Sequence, residues 1–464
     1  MHLYHDGRIF NESDVWWPTA AINNANGPNS VIEILACHEC DMLFQRDKIP
    51  AGARANCTRC GAELYRQINN SLDRSLALYL STLVCMVIAN FYPFIVMQTA
   101  GITVTSLVST GGLALYQFGM GELGFVVFFT SILAPLICVI GVIYLLISVR
   151  FGALPPHYGV VYRLIKAFEP WCLLAVFMLG TLIAVVKLQS AAQVTPGLGM
   201  LGFVMMLITY TAARASFDPE VLWAKCDIKQ QNRSDFPDGL EQARVLSCHT
   251  CGLVRPLESH MRHCLRCGAA VHFRVVNSLQ KTWALLISAC IMLIPANIYP
   301  VMSVSNLGRG SADTIVSGVI HLMEAGLIGL AILVLFASIV VPLVKLTALG
   351  YLLHSVRNRS NWRPRDRALL YRITKIVGAW SMVDVFLVGL LSGLVNFGFL
   401  ASIEPEIGVT FFGTAVILTM LAAHSFDPRL IWDNTLLDPN GMPVNNLPNN
   451  KNDIPATLKR RLET

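Results

Sequence analysis

The chain repeats itself. Cys37-His38-Glu39-Cys40 with Cys57-Thr58-Arg59-Cys60 returns as Cys248-His249-Thr250-Cys251 with Cys264-Leu265-Arg266-Cys267. Asn70-Ser71-Leu72 returns as Asn277-Ser278-Leu279, and Ala89-Asn90-Phe91-Tyr92-Pro93 as Ala296-Asn297-Ile298-Tyr299-Pro300. Ser131-Ile132-Leu133-Ala134-Pro135 matches Ser338-Ile339-Val340-Val341-Pro342, and Ser216-Phe217-Asp218-Pro219 matches Ser425-Phe426-Asp427-Pro428. The offset stays between 207 and 211 residues throughout. Chance does not hold such a register, so the chain is two tandem copies of one module.

What each module contains follows from its apolar runs. Residues 75–121 and 123–149 carry no Asp, Glu, Lys or Arg. Over the whole chain only 14% of residues are charged and 54% are hydrophobic. A soluble domain carries about 25% charged residues, so this composition excludes disorder, a fibre and an ordinary soluble enzyme. A helix crossing the hydrocarbon core needs about 20 apolar residues. Four such spans are expected per module, near 76–97, 123–149, 170–190 and 197–214, then 283–304, 327–354, 378–398 and 408–424. The predicted fold is an α-helical polytopic membrane protein. Its two modules are each a small four-cysteine domain of the zinc-ribbon or rubredoxin type followed by four transmembrane helices.

The corresponding division is a polar extension at 1–30, a first cysteine domain at 31–70 and a first four-helix module at 71–215. A linker at 216–243 leads to the second cysteine domain at 244–277, the second four-helix module at 278–425 and a tail at 426–464. The extension has no apolar core segment, so no signal peptide is expected. The tail, rich in Asn, Pro and charge from Leu436 onward, is expected to be largely disordered. Segments near 102–118 and 313–324 carry apolar residues at helical spacing. They read equally as surface helices or as ordinary loops.

Loop charges orient the spans. The chain holds 35 basic and 29 acidic residues, a net +6. Arg357, Arg359, Arg363, Arg365, Arg367, Arg372 and Lys375 crowd one loop, matched by Arg150, Arg163 and Lys166 in the first module. Loops of the opposite side are almost bare of basic residues. Basic loops stay in the cytoplasm, which places both termini and both cysteine domains there. Thiolate sites in a reducing compartment agree with that placement.

Paired CxxC knuckles offer four thiolates that converge on one ion. Cys37, Cys40, Cys57 and Cys60 form one expected metal site, and Cys248, Cys251, Cys264 and Cys267 the other. A domain of about 40 residues buries too little core to stand alone, so the metal supplies its folding energy. Zinc is expected at both, with iron less favoured because four thiolates suit either ion. His38, His249, His260 and His263 lie nearby but are not needed by a closed four-cysteine site. Cys85, Cys138, Cys172, Cys226 and Cys290 have no partner spacing and read as small buried apolar residues.

Two charges stand inside the apolar spans, where ionisable residues face a partner or a water-filled path. By helix rise Lys345 lies roughly 13 Å deep and Asp384 roughly 9 Å. The two therefore reach nearly one level, where an ion pair is expected. Ser338 shares the face of Lys345, and Thr419 falls at a similar depth. Aligned through the repeat, Lys345 corresponds to Cys138, Asp384 to Ala175 and Thr419 to Tyr210, while Ser338 keeps Ser131. One half stayed apolar and the other became charged, which favours a transport role for the set over helix glue. Lys187 is read as snorkelling at the outer end of its span. Asn90 and Asn297 are expected to satisfy backbone groups freed near the following prolines. Asp218 and Asp427 read as helix N-caps.

Cys-x-x-Cys-Asp-Met-Leu (Cys37 to Leu43), Asn-x-x-Pro (Asn90 to Pro93) and Ser-Ile-x-x-Pro (Ser338 to Pro342) together resemble the paraquat-inducible protein A family. Trp-Ser-Met-x-Asp-Val-Phe (Trp380 to Phe386) and Ser-Phe-Asp-Pro-Arg-Leu (Ser425 to Leu430) extend the resemblance, which covers roughly residues 30 to 435. It implies a bacterial inner-membrane protein that works with an MCE-domain partner forming a tunnel across the periplasm, and it implies phospholipid as cargo. No GxxxxGK[ST] motif is present, so no nucleotide is expected as the direct energy source. Nucleic acid is not expected as a partner, and catalysis is not expected. Proton coupling through Lys345 and Asp384 is the energy source the residues suggest. The alternatives are a redox- or metal-sensing membrane protein and a proton-coupled exporter of small molecules.

Overall fold

The computed structural model describes residues 34–433 apart from 47–48, 51, 100–101, 153, 190–192, 227–244, 257–261, 273, 307–308, 325, 327 and 396–400. It also describes residues 2–5 and 8–9. Most of the N-terminal extension, much of the linker and the tail from 434 lie outside the described residues.

Among the described residues, eight helices are long and apolar enough to cross a membrane, four in each module. The first span of each, Ser71–Phe91 and Ser278–Ile298, starts after an asparagine with positive φ, 50° at Asn70 and 55° at Asn277. Asn tolerates that left-handed region better than most residues. Both spans stop where Tyr92 and Tyr299, each preceding a proline, turn extended. They end earlier than the expected 97 and 304. The Asn90 and Asn297 amides donate to the carbonyls of Met86 and Leu293, 2.8 Å each.

The opening serines explain two of the repeated motifs. Ser71 Oγ donates to Ser216 O and accepts from Asp218 N-H, at 2.8 and 3.1 Å. Ser278 Oγ does the same with Ser425 O and Asp427 N-H, at 2.7 and 2.9 Å. Each serine clasps the first span to the end of the fourth, Leu198–Ser216 or Ile407–Ser425. Asp218 and Asp427 accept from the backbone N-H groups of Glu220 and Arg429 at the short helical turns that follow.

The second and third spans are interrupted, and in the same way in both modules. The second passes through a π-helical stretch, Phe129–Leu133 or Phe336–Val340, that contains Ser131 or Ser338. Pro135 and Pro342 follow, and neither can donate a backbone bond to the serine carbonyl four residues back. The third begins as Tyr158–Phe168 or Pro364–Val377 and tightens to a 3-10 turn at Glu169–Trp171 or Gly378–Met382. It resumes as Leu174–Gln189 or Val383–Leu394.

At the end away from the cysteines the sequence predicts helices or loops, and the structure has sheets. Ile95–Thr99 lies between Ile102–Ser106 and Gln193–Pro196, all antiparallel, with Val96 opposite Thr105 and Thr195. Met302–Asn306 lies likewise between Arg309–Asp313 and Ala401–Pro405. The helical part of the expectation survives as Thr110–Gln117 and Ile315–Glu324.

The modules meet along Val383–Leu394. Every residue from Ser381 to Ser392 is buried. Phe386 lies against Phe177 of the first module at 5.4 Å between ring centres. Gly389 meets Gly111 so closely that a Cβ on Gly111 would stand 3.1 Å from the Gly389 carbonyl carbon. Large apolar side chains such as Val84, Phe125, Ile140 and Ile294 point outward around the bundle, as a lipid-facing surface requires.

Candidate functional site

The first head domain brings Cys37 and Cys60 to 3.5 Å and Cys40 and Cys57 to 3.5 Å, sulfur to sulfur. In the second, Cys248 and Cys267 are 3.6 Å apart and Cys251 and Cys264 3.5 Å. All four sulfurs of each set lie within 4.8 Å of one another. A tetrahedral ion with metal–sulfur bonds of about 2.3 Å needs sulfurs roughly 3.8 Å apart, so both sets fit a metal ion. The residue after each knuckle is left-handed: φ is 56° at Asp41, 76° at Gly61, 72° at Gly252 and 69° at Gly268. Hydrogen bonds among the crowded sulfurs push Cys40 and Cys251 up and Cys57 and Cys264 down. A bound cation would let all four ionise together. No histidine joins either cluster among the described residues. His38 is largely exposed beside Glu39, and His249 Nε2 meets the Arg429 guanidinium at 2.5 Å. His260 lies outside the described residues.

Each head sits on the other module. The first packs its cysteines with Leu346, Leu349, Tyr371, Phe426 and Trp432 of the second module. Arg372 bonds the Cys60 carbonyl and, at 2.8 Å, Glu39, while Arg59 covers the Trp432 ring at 4.7 Å. The second head repeats this on the first module, with Arg163 on the Gly268 carbonyl and Arg266 over Trp223 at 5.2 Å. Asp41 then ties the heads to the last span, receiving Arg274 and, at 3.2 Å, Arg429. Burial pushes the Asp427 carboxyl up, but its hydrogen bonds from Arg429 outweigh this and hold it below the ordinary carboxylate value. Burial and the Arg429 charge lower His249.

Inside the second module the four polar residues occupy two levels. Lys345 Nζ, 3% exposed, donates to Thr419 Oγ1 at 2.7 Å and to the Gly378 carbonyl at 3.3 Å. The 3-10 turn at Gly378 presents that carbonyl, and a Cβ there would stand 2.9 Å from Lys345 Nζ. Asp384, 7% exposed, lines the same cavity as Ser338, whose hydroxyl donates to Val334 O at 2.7 Å. The second carboxylate oxygen of Asp384 is buried without a hydrogen-bond partner among the described residues.

Lys345 and Asp384 therefore form no ion pair, against expectation. Ser338 precedes Lys345 by seven residues and Asp384 follows Gly378 by six, so the two levels are about 10 Å apart along antiparallel helices. Residue 378 lies level with Lys345 and not at the membrane boundary that the sequence implies, because the third span continues a helix that starts at Pro364. Gly378 was missed because only its carbonyl acts. Asp384 and Ser338 help line an apolar cavity of about 40 Å³ with Ile183, Lys187, Thr314 and Phe412. At roughly 15 Å³ each, this admits two or three waters.

These features define a class: a two-module polytopic membrane protein with paired four-cysteine heads and a buried polar set in one half. The description "Paraquat-inducible protein A" matches residues 72–227 and 279–435, and the chain belongs to that family. It is 32% identical over 405 residues to the intermembrane transport protein PqiA of Escherichia coli (strain K12), covering 86% of this chain and 95% of that one. It is 32% identical over 398 residues to the lipophilic envelope-spanning tunnel protein A of the same organism, covering 86% and 90%. A probable intermembrane transport protein of Haemophilus influenzae is 28% identical over 407 residues, covering 86% and 96%. No solved structure matches.

Proposed function

We propose that this protein is the inner-membrane component of an intermembrane lipid transport system. It passes phospholipid between that membrane and a periplasm-spanning MCE-domain partner, and proton movement through Ser338, Asp384, Lys345 and Thr419 drives the cycle. The names of the relatives from Escherichia coli and Haemophilus influenzae support intermembrane transport. The observation that carries the coupling is the unpartnered, buried oxygen of Asp384 at an apolar cavity. An ionised carboxylate there costs about 3 kcal/mol on insertion scales, so Asp384 takes up a proton when the cavity is dry and releases it when water enters. Lys345 and Thr419 form the second station, toward the heads. Zinc at both four-cysteine sites stabilises the heads. Both termini and both heads face the cytoplasm, where the basic loops lie.

Replacing Asp384→Asn keeps shape and removes the titratable group. Lipid transfer in proteoliposomes should fall at least tenfold while the protein stays inserted and monodisperse. The double change Lys345→Met with Asp384→Leu should fold and remain inactive. An active double variant would leave these residues a packing role only.

A further inference from the structure

The first module carries a second reactive group at the place where the second carries Lys345. Cys138 lies seven residues after Ser131, as Lys345 lies seven after Ser338. Cys172 follows Trp171 at the 3-10 turn of the third span, as Ser381 follows Trp380. The sequence separates these cysteines by 34 residues and gives no spacing signal, so they read as unrelated. The structure brings their sulfurs to 3.5 Å. Cys138 Sγ also faces the Ile165 carbonyl at 3.8 Å, and Cys172 Sγ the Phe168 carbonyl at 3.5 Å. Tyr210, buried in the same module, stands at the position of Thr419.

We propose that Cys138 and Cys172 are a redox modification site, a dithiol that a membrane quinone converts to a disulfide. A disulfide needs its sulfurs about 2.05 Å apart, so the pair closes by about 1.5 Å. Both S–H bonds break and one S–S bond forms. Two protons and two electrons pass to the quinone, which leaves as quinol, and a small dithiol reverses the step. Cys172 is half-buried and Cys138 is 2% exposed, so Cys172 is the thiol that an oxidant dissolved in the bilayer reaches first. The bond would fasten the second span to the third at its break and hold the first module in one conformation. The eight head cysteines are set apart from this pair by their own clusters.

The test uses the full chain in native membranes, exposed to a fully ring-substituted benzoquinone, which cannot add to thiols through a free ring position. After alkylation of the remaining thiols and digestion, mass spectrometry should find the Cys138–Cys172 linked peptide raised at least tenfold. Dithiothreitol should reverse this, and Cys138→Ser should abolish it. Metal content measured on the same sample reports whether the heads stay intact. Full alkylation of Cys138 and Cys172 after quinone treatment would overturn the proposal, as would linkage of either to Cys85 or Cys226. Both results are read on the unmodified chain, so folding of the variant does not limit the outcome.

Discussion

Single residues here act through what their backbone or charge reaches. Gly378 contributes a carbonyl to Lys345 and leaves the space that the ammonium fills. Gly378→Ala puts a methyl 2.9 Å from Nζ, which displaces the end of a flexible side chain while the helix break stays. Lipid transfer should drop about tenfold with the melting temperature little changed. A fully active variant would show that the Lys345 position is not tuned by this contact. Arg163 and Arg372 show a second point. Both belong to the basic stretches that open the third spans, and both hold the heads. Asp41 fills a left-handed knuckle position where the other three knuckles have glycine, and its carboxylate receives Arg274 and Arg429. That difference is visible in the sequence as CxxCD against three CxxCG, although its partners are not.

Among elements, Val383–Leu394 decides how the modules dock. Gly111 and Gly389 let the Thr110–Gln117 helix reach its backbone. A Gly111→Leu side chain has nowhere to go, and overpacking of this kind costs about 1–3 kcal/mol. The modules should separate more readily on heating, seen as a lower melting temperature and as protease cleavage between 227 and 244. Unchanged heat and protease resistance would mean that the contact is looser than its distances imply. The spans themselves were legible because a bilayer demands long apolar runs, and the cysteine heads because thiolate spacing is stereotyped. The interruptions were not. A π stretch before Pro135 or Pro342 shifts side-chain phase without altering hydropathy. The outer sheets were missed because Ile95–Thr99 pairs with Gln193–Pro196 from a loop about a hundred residues later. No local pattern records such a pairing.

For the molecule as a whole, the heads decide which parts share stability. Cys248→Ser with Cys251→Ser should remove one of about two metal ions by elemental analysis. Because that head covers Trp223 and contacts Gly159 and Arg163, the loosening should appear in the first module, as changed Trp223 fluorescence and faster exchange around residues 158–168. Retention of both ions would show these cysteines are not ligands. Loosening confined to the second module would contradict the packing described above.

The repeat did not reveal which copy each head would choose, since the same residues are present in both. Arg59 on Trp432 and Arg266 on Trp223 are one contact made twice, each time with the other half. Two identical half-length chains would make the same contacts by exchanging heads across a two-fold axis, as domain-swapped dimers do. The cysteine packing of the single chain matches such a dimer with its halves joined, and residues 227–244 are the seam in sequence. Cutting the gene within the seam and producing 1–235 and 236–464 together should give a one-to-one complex with both metals bound, while either piece alone should be unstable. A half that folds by itself with its own head would show that the exchange is not required.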